Sequence, residues 1–156
     1  MLVLAWPGVV NAAEALECPP DARLALDGDV ERWCERYDLA SGAFQRHGPA
    51  VALHPDGSLH QQGTYRDGRM DGPWREWRVD GHLRVAADYV MGNLDGSYEE
   101  TTESGLRMLG HYRDGVRHGA WTIFDGTGTL VARGRYRYGR RHGSWSTTLD
   151  GGERLV

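Results

Sequence analysis

Histidine is the residue in this 156-residue chain that a metal ion would use most readily, and three of the seven histidines recur in register. His47, His118 and His142 each stand immediately before a glycine at a repeated position. Equivalent positions in neighbouring hairpins lie about 9.5 Å apart, whereas zinc holds its nitrogen ligands at about 2 Å. No H-x-x-x-H spacing occurs in the sequence. We therefore expect turn residues here, and we predict no metal site and no cofactor.

The two cysteines, Cys18 and Cys34, both follow a short apolar N-terminal stretch. In an exported protein, an even number of cysteines near the mature N-terminus is typical of a disulfide. Such a bond would stabilise the fold by about 3 kcal/mol in the chain-entropy model. In the cytosol both residues would instead be free thiols. The sequence alone leaves both states open, and the disulfide is the prediction that goes with export.

The sequence contains no motif for a catalytic nucleophile, a zinc protease or a phosphate-binding glycine loop. Carboxylates are plentiful, but Asp67 and Asp114 fall in repeated positions where aspartate stabilises a turn. No pair of acids stands out from that pattern. We therefore predict no catalytic residues and a protein that is not an enzyme, unless its reaction uses an unrecognised motif.

A run of alternating arginines is the first feature that could bind a partner. Arg133, Arg135 and Arg137 would share one face of a strand and form a positive stripe for phosphates or an acidic protein. The run is extended by Arg140, Arg141 and His142. The alternative, which general experience of exposed strands favours, is a solvated face close to a sheet edge that discourages sheet-to-sheet aggregation.

A ladder of aromatic residues is the second such feature. It comprises Trp74, Tyr98, Trp121 and Trp145 together with Tyr65, Tyr89, Tyr112 and Tyr136. Packing is its ordinary explanation, and it accounts for most of these residues. A single sheet nevertheless leaves one face without a covering layer. Trp74, Trp121 and Trp145 are therefore candidate partner-binding residues, together with the arginine stripe.

The charge of the chain is modest overall and unevenly distributed. The formal net charge is -4, which indicates no nucleic-acid partner. The segment from Glu14 to Phe44 carries eight acidic residues against three arginines. The C-terminal part is conversely basic. This polarity could orient another protein, or promote self-association through the sheet edges of two copies.

Residue types that recur at a fixed interval along the chain indicate the structural elements that hold all these side chains in place. Glycines recur every 23 or 24 residues at Gly48, Gly72, Gly96, Gly119 and Gly143. Tyrosines recur at the same interval at Tyr65, Tyr89, Tyr112 and Tyr136. The residue two before each tyrosine is small, being Gly63, Ala87, Gly110 or Gly134. We expect this small residue to leave room for an aromatic ring from the neighbouring strand.

Each unit divides into two strands joined by a turn. Asp56-Gly57, Asp80-Gly81 and Asp150-Gly151 are turn-forming pairs that close hairpins. The second strand alternates, with Leu83, Val85, Ala87 and Tyr89 on one face and Arg84, Ala86 and Asp88 on the other. The odd spacing of Trp74 and Trp77 in the first strand has two explanations. Either a bulge near the leading glycine realigns them, or each face receives one aromatic ring.

The fullest copy of the unit runs from Gly72-Pro73-Trp74-Arg75-Glu76-Trp77 through Asp80-Gly81-His82-Leu83 to Tyr89 and Gly92. This pattern resembles the MORN repeat, and above all its bacterial variant in proteins named YwqK-type antitoxins. The resemblance covers about 4.5 units over residues 46–156. It implies an all-β fold of tandem β-hairpins in a single elongated, twisted antiparallel meander sheet. It implies little chemistry, since such repeats are mostly scaffolds.

The residues before the repeats divide into two parts. Residues 1–15 predict a signal peptide, with an apolar Leu2 to Val10 and an Ala13-x-Ala15 cleavage pattern. The alternative is a buried N-terminal strand. Residues 16–45 then form a capping segment with the predicted Cys18–Cys34 disulfide. The leader predicts a secreted or periplasmic protein of the bacterial envelope.

These observations favour a non-catalytic, exported repeat scaffold that mediates protein–protein interaction with an unidentified partner. A cytosolic antitoxin-like inhibitor of a partner toxin is the alternative, and it requires an uncleaved leader and reduced cysteines. A peripheral membrane or lipid-binding module is a second alternative. The negative net charge makes membrane contact the weakest of the three.

Overall fold

The computed structural model describes residues 16–149 and 152–155 of the chain. The predicted leader, residues 1–15, and the predicted Asp150-Gly151 turn lie outside the described residues. The strands of the described part are β1 (Arg23–Asp27), β2 (Glu31–Asp38), β3 (Ala43–Leu53), β4 (Leu59–Arg66), β5 (Arg69–Met70), β6 (Gly72–Trp77), β7 (Leu83–Val90), β8 (Asn93–Thr101), β9 (Arg107–Arg113), β10 (Val116–Phe124), β11 (Leu130–Arg137), β12 (Arg140–Leu149) and β13 (Gly152–Leu155).

All of these strands belong to one antiparallel sheet, in which each strand pairs with the next along the chain. The short β5 is off this path and pairs with β4, which also pairs with β6. The expected all-β meander of hairpins is therefore confirmed. The predicted boundary between capping segment and repeats, at residue 45, falls inside β3.

Four two-residue turns lie along one edge of the described sheet. They are Asp67-Gly68, Met91-Gly92, Asp114-Gly115 and Tyr138-Gly139. Both residues of each turn have positive φ, between 48° and 51° at the first position. This is the geometry that suits the twist of a tight hairpin. The glycine N–H of each turn donates to a carbonyl of the preceding hairpin, as Gly68 does to Arg46 at 2.8 Å. Each turn is thus fixed to the unit before it.

Longer loops lie along the opposite edge and contain the predicted Asp-Gly pairs. Pro55, Asp56 and Gly57 form one such three-residue loop, closed by a bond from the N–H of His54 to the carbonyl of Ser58 at 2.8 Å. The carboxylate of Asp56 accepts hydrogen bonds from the hydroxyl of Ser58 and then from its backbone N–H, and these bonds lower the pKa of Asp56. The pairs at 56–57 and 80–81 therefore close hairpins as expected, though within loops longer than a two-residue turn.

A bulge accompanies most of the leading glycines. At Gly143, for example, the register shifts between Arg133 and Arg135, so that several residues of β12 oppose one of β11. The alternation of β6 beyond its own glycine is regular, with Trp74 opposite Ala87 and Glu76 opposite Val85. Trp74 and Trp77 consequently point to opposite faces. The second of the two alternatives is therefore the one observed: each face receives one aromatic ring, and the bulge near the leading glycine does not realign them.

A second bulge lies near the long loops and explains why the third repeat unit, which begins at Gly96, is one residue shorter than the others. The register of β7 slips between its pairings with Glu76 and Trp77, and Arg84 is the extra residue. Its guanidinium donates to Glu76 at 2.6 and 2.7 Å, so the expected alternation of Arg84 with Leu83 and Val85 is wrong at this point. The β8–β9 pair shows no such slip. The unit that begins at Gly96 is one residue shorter than the others because it lacks this bulge.

The core is a layer of rings on one face of the sheet, which we call the aromatic face. Trp74, Trp121 and Trp145 each lie over a small residue of the preceding hairpin. A Cβ atom added at Gly63, Gly110 or Gly134 would lie 2.1 to 2.2 Å from the indole. Each indole N–H donates to the carbonyl of the residue after that glycine, at 3.1 or 3.2 Å. The prediction that the small column accommodates a neighbouring ring is confirmed.

The N-terminal segment lies against the opposite face, which we call the open face. The structure contains the predicted disulfide between Cys18 and Cys34, whose Cα atoms are 5.5 Å apart. Pro19 packs on Gly48, where an added Cβ would lie 2.8 Å from the Pro19 ring. Arg36 then joins Asp21 of this segment to Asp67 of the first tight turn. The segment is therefore fixed to two strands and a turn.

Candidate functional site

The three histidines of the repeated position, His47, His118 and His142, each have different neighbours in the structure. His47 contacts the Asp67 carboxylate at 3.1 Å, the ring of His118 lies 6.5 Å from that of Tyr138, and His142 is paired in register with Arg135. Within residues 16–149 and 152–155, no three histidine, cysteine or acidic side chains are grouped as metal ligands would be.

The three tryptophans proposed as partner contacts are core residues. Trp74 is 5%, Trp121 2% and Trp145 3% exposed. Tyrosine rings pack edge-on against them, with centroid distances of 5.0 Å for Tyr65–Trp74 and 5.1 Å for Tyr136–Trp145. The three indoles therefore expose little surface to a partner, and their role in binding stays a prediction. Glycines beneath and tyrosines beside the indoles bury them without a second layer of structure.

Arginines on the aromatic face are a feature that sequence reasoning missed. The guanidinium carbons of Arg46, Arg117 and Arg141 lie 4.5, 4.7 and 4.3 Å from the ring centroids of Trp33, Trp121 and Trp145. All three occupy one column, two residues before a leading glycine, which could have revealed them. Cation–π contacts of this kind stabilise by about 0.5–1 kcal/mol at exposed sites. Arg141 therefore does not extend the arginine stripe, as the sequence suggested, because it covers Trp145.

The rest of the stripe does lie together on the open face. Arg133, Arg135 and Arg137 alternate with Gly134, which supports Trp145 on the aromatic face, so their side chains point the other way. Cross-strand pairing places Arg135 beside His142, and Arg137 beside Arg140. All are exposed. We call this set, Arg133, Arg135, Arg137, Arg140 and His142, the basic surface.

The residues that flank the stripe are small, so the arginines stand above their surroundings. Arg133 and Arg135 line a shallow depression with side chains from the two adjacent strands. Those neighbours are Ala120 and Thr122 on β10 and Ser144 and Ser146 on β12. None of them is long enough to cover a guanidinium group. Arg135 and Ser144 are exposed in this depression and can donate to an approaching carboxylate.

Six arginines outside the basic surface are paired with carboxylates. Carboxylates lie within ion-pair distance of Arg23, Arg36, Arg46, Arg66, Arg84 and Arg107. Arg133 donates to the Ser146 hydroxyl at 3.3 Å. In the part of the chain that the structure describes, Arg135, Arg137 and Arg140 have no acidic partner. Their charge is therefore available to another molecule.

Tyr138 adjoins this surface and was not identified from the sequence. It is 74% exposed and follows Arg137 at the turn into β12. The Arg137 guanidinium carbon lies 5.5 Å from the centre of its ring. Its signal in the sequence is a tyrosine at a turn position where two other units have Asp67 and Asp114.

The chain was compared with known protein families and with curated proteins. No family model and no curated protein matches it. Over the described residues, there is no helix of the length and apolarity needed to cross a membrane. The geometry of the basic surface is therefore the evidence from which a function can be argued.

Proposed function

We propose that this protein is a non-catalytic repeat scaffold that binds an acidic area of another protein through the basic surface. The observation that carries the proposal is the exposure of Arg135, Arg137 and Arg140 without acidic partners in the described structure. Concentrated charge of one sign attracts a complementary surface and fixes its orientation. Arginine also binds carboxylates through two parallel hydrogen bonds.

Protection of a sheet edge, the competing explanation for the stripe, fits the topology less well. Charged side chains are needed most on edge strands, whose backbone groups are unpaired. β11 carries the stripe and pairs with β10 on one side and β12 on the other. Because β11 has a paired strand on each side, its backbone is not open to pairing with a strand of another molecule.

The disulfide supports a location outside the cytosol. Disulfides persist in oxidising compartments and are rare in cytosolic proteins. The Cys18–Cys34 bond fixes the N-terminal segment at the end of the sheet opposite the basic surface. We propose a secreted or periplasmic protein in which residues 1–15 are a cleaved signal peptide. The resemblance to bacterial MORN-type repeats supports a scaffold, and a cytosolic antitoxin is the alternative in which both thiols stay reduced.

Affinity capture from the native host tests the proposed surface. The wild-type protein is compared with the double variant R135E/R137E and with R75E, which reverses an exposed arginine on β6. We expect the same partner with the wild type and R75E, and its loss with R135E/R137E because reversed charges repel acidic groups. Recovery of the same partner with all three proteins would contradict the proposal.

A further inference from the structure

The turn between β11 and β12 has a residue that its backbone disfavours. Tyr138 has φ of 51°, in the left-handed region that side chains other than Asn and Asp rarely adopt. The equivalent turns begin with Asp67, Asp114 and Met91, at φ of 49°, 50° and 48°. Two turns therefore have the well-suited aspartate, and two have a residue that costs stability.

Burial does not compensate for this cost at Tyr138. Its side chain is 74% exposed, whereas that of Met91 is 37% exposed. Among the described residues, its aromatic and cation–π contacts are with Arg137 at 5.5 Å and with His118 at 6.5 Å. Strain at a residue that gains little packing points to a role outside the fold.

The position of Tyr138 connects it to the basic surface. The cross-strand pair Arg137–Arg140 closes the turn, so a cationic residue stands on each side of it in the chain. Val116, which is 43% exposed, lies beside Gly139, with its Cβ 3.6 Å from where a Gly139 side chain would begin. An exposed ring therefore ends the row of arginines, and an exposed valine lies beside the glycine that completes the same turn.

We infer that Tyr138 is the aromatic anchor of the basic surface and inserts into an apolar recess of the partner protein. The inference rests on the proposed function. Tyrosine and arginine are the residues on which binding energy concentrates at protein interfaces. The cations beside the turn match carboxylates at the rim of such a recess. The partner segment would therefore combine apolar residues with flanking glutamates or aspartates.

The variant Y138N separates this role from a structural one. Asn-Gly is the preferred pair for this turn, so Y138N raises the melting temperature if strain is relieved. As an anchor, the same residue is needed for binding, and its loss weakens affinity about tenfold or more. M91N is the matched control, because it relieves the same strain at the β7–β8 turn, away from the basic surface. M91N should raise the melting temperature and leave binding unchanged.

The probe is a displayed library of random 12-residue peptides selected against the wild-type protein. We expect enriched peptides that combine acidic and apolar residues, bind M91N as they bind wild type, and bind Y138N and R135E/R137E weakly. Equal binding to Y138N with loss on R135E/R137E would overturn the anchor and leave the basic surface intact. Equal binding to all variants would overturn both, as would selection without any such peptides.

Vesicles of phosphatidylcholine and phosphatidylserine distinguish a membrane from a protein partner. We expect the wild-type protein not to sediment with them. Sedimentation that Y138N abolishes would overturn the assignment of a protein partner, because the ring and arginines would then be contacting lipid.

Discussion

Each tryptophan indole of the aromatic face occupies the space that a side chain would take on the neighbouring strand. Trp145 lies over Gly134 in this way, whereas the smaller Tyr98 is paired with Ala87 in the unit that has alanine in the glycine column. Ring size and column residue therefore vary together within one chain. The glycine is therefore needed because it has no side chain to clash with the ring, and not only because its backbone is flexible.

The substitution Gly134→Ala tests this steric relation. The added Cβ would lie 2.2 Å from the Trp145 ring, and overpacking of this kind destabilises a fold by about 1–3 kcal/mol. Adding Trp145→Tyr should recover part of the loss, since it recreates the Ala87–Tyr98 combination. Urea unfolding of the single and double variants measures both effects. A single variant as stable as the wild type would contradict the packing account.

Tyr98 should make stability depend on alkaline pH. Burial, and then its hydrogen bond to the Glu100 carboxylate at 2.8 Å, raises the pKa of Tyr98 well above its ordinary value. An acid whose pKa is raised by folding contributes stability that is present below the unfolded pKa, about 10 for tyrosine, and is lost above it. Tyr98→Phe should therefore reduce the fall in unfolding free energy between about pH 10 and 11. An identical pH dependence in both proteins would exclude Tyr98 as its source.

The first two strands of the sheet depend on a covalent connection as well as on pairing. The disulfide closes a loop between residues 16 positions apart and fixes Pro19 on Gly48. The double variant Cys18→Ser/Cys34→Ser should lose about 3 kcal/mol of unfolding free energy. Wild-type protein in reducing agent should match the variant in the same urea titration. Equal stability of oxidised and reduced wild type would show that the capping segment does not depend on the bond.

Hairpins and their small-residue column could be predicted from the sequence because both repeat, and repetition reveals positions that need a particular residue. The slip at Arg84 could not, since a bulge adds one residue to a strand without changing the turn signals around it. Packing is the expected role of Trp121, but the extent of its burial could not be predicted from the sequence. It depends on Tyr112, Tyr136 and Arg117 together, which lie in different strands and meet only after the sheet has formed.

Across the whole molecule, the two faces of the sheet have different roles. The aromatic face supplies the packing, with arginines over its rings, and the open face carries the disulfide-linked segment near β2 and the basic surface near β11. Of the features proposed from the sequence for binding, the arginine row is exposed in the structure and the tryptophans are not. Alternation predicts which face a strand residue occupies, but not whether neighbours cover it.

Binding through charge should weaken with salt. Exposed charges are screened over about 8 Å at physiological ionic strength, so the association rate with an acidic partner should fall as salt rises. R135Q/R137Q should bind more slowly at low salt and show a smaller salt dependence. Surface plasmon resonance of the captured partner at increasing salt measures this. A salt dependence unchanged by the substitutions would assign the interaction to another surface.

Site-specific photo-crosslinking in the native host determines whether a partner protein contacts the open face at the basic surface. A photoreactive amino acid is placed at Ser144, which is exposed in the depression, or at Arg75, which is exposed on the same face at β6. We expect a crosslinked partner from position 144 and none from position 75. A partner crosslinked from position 75 and not from position 144 would contradict this expectation.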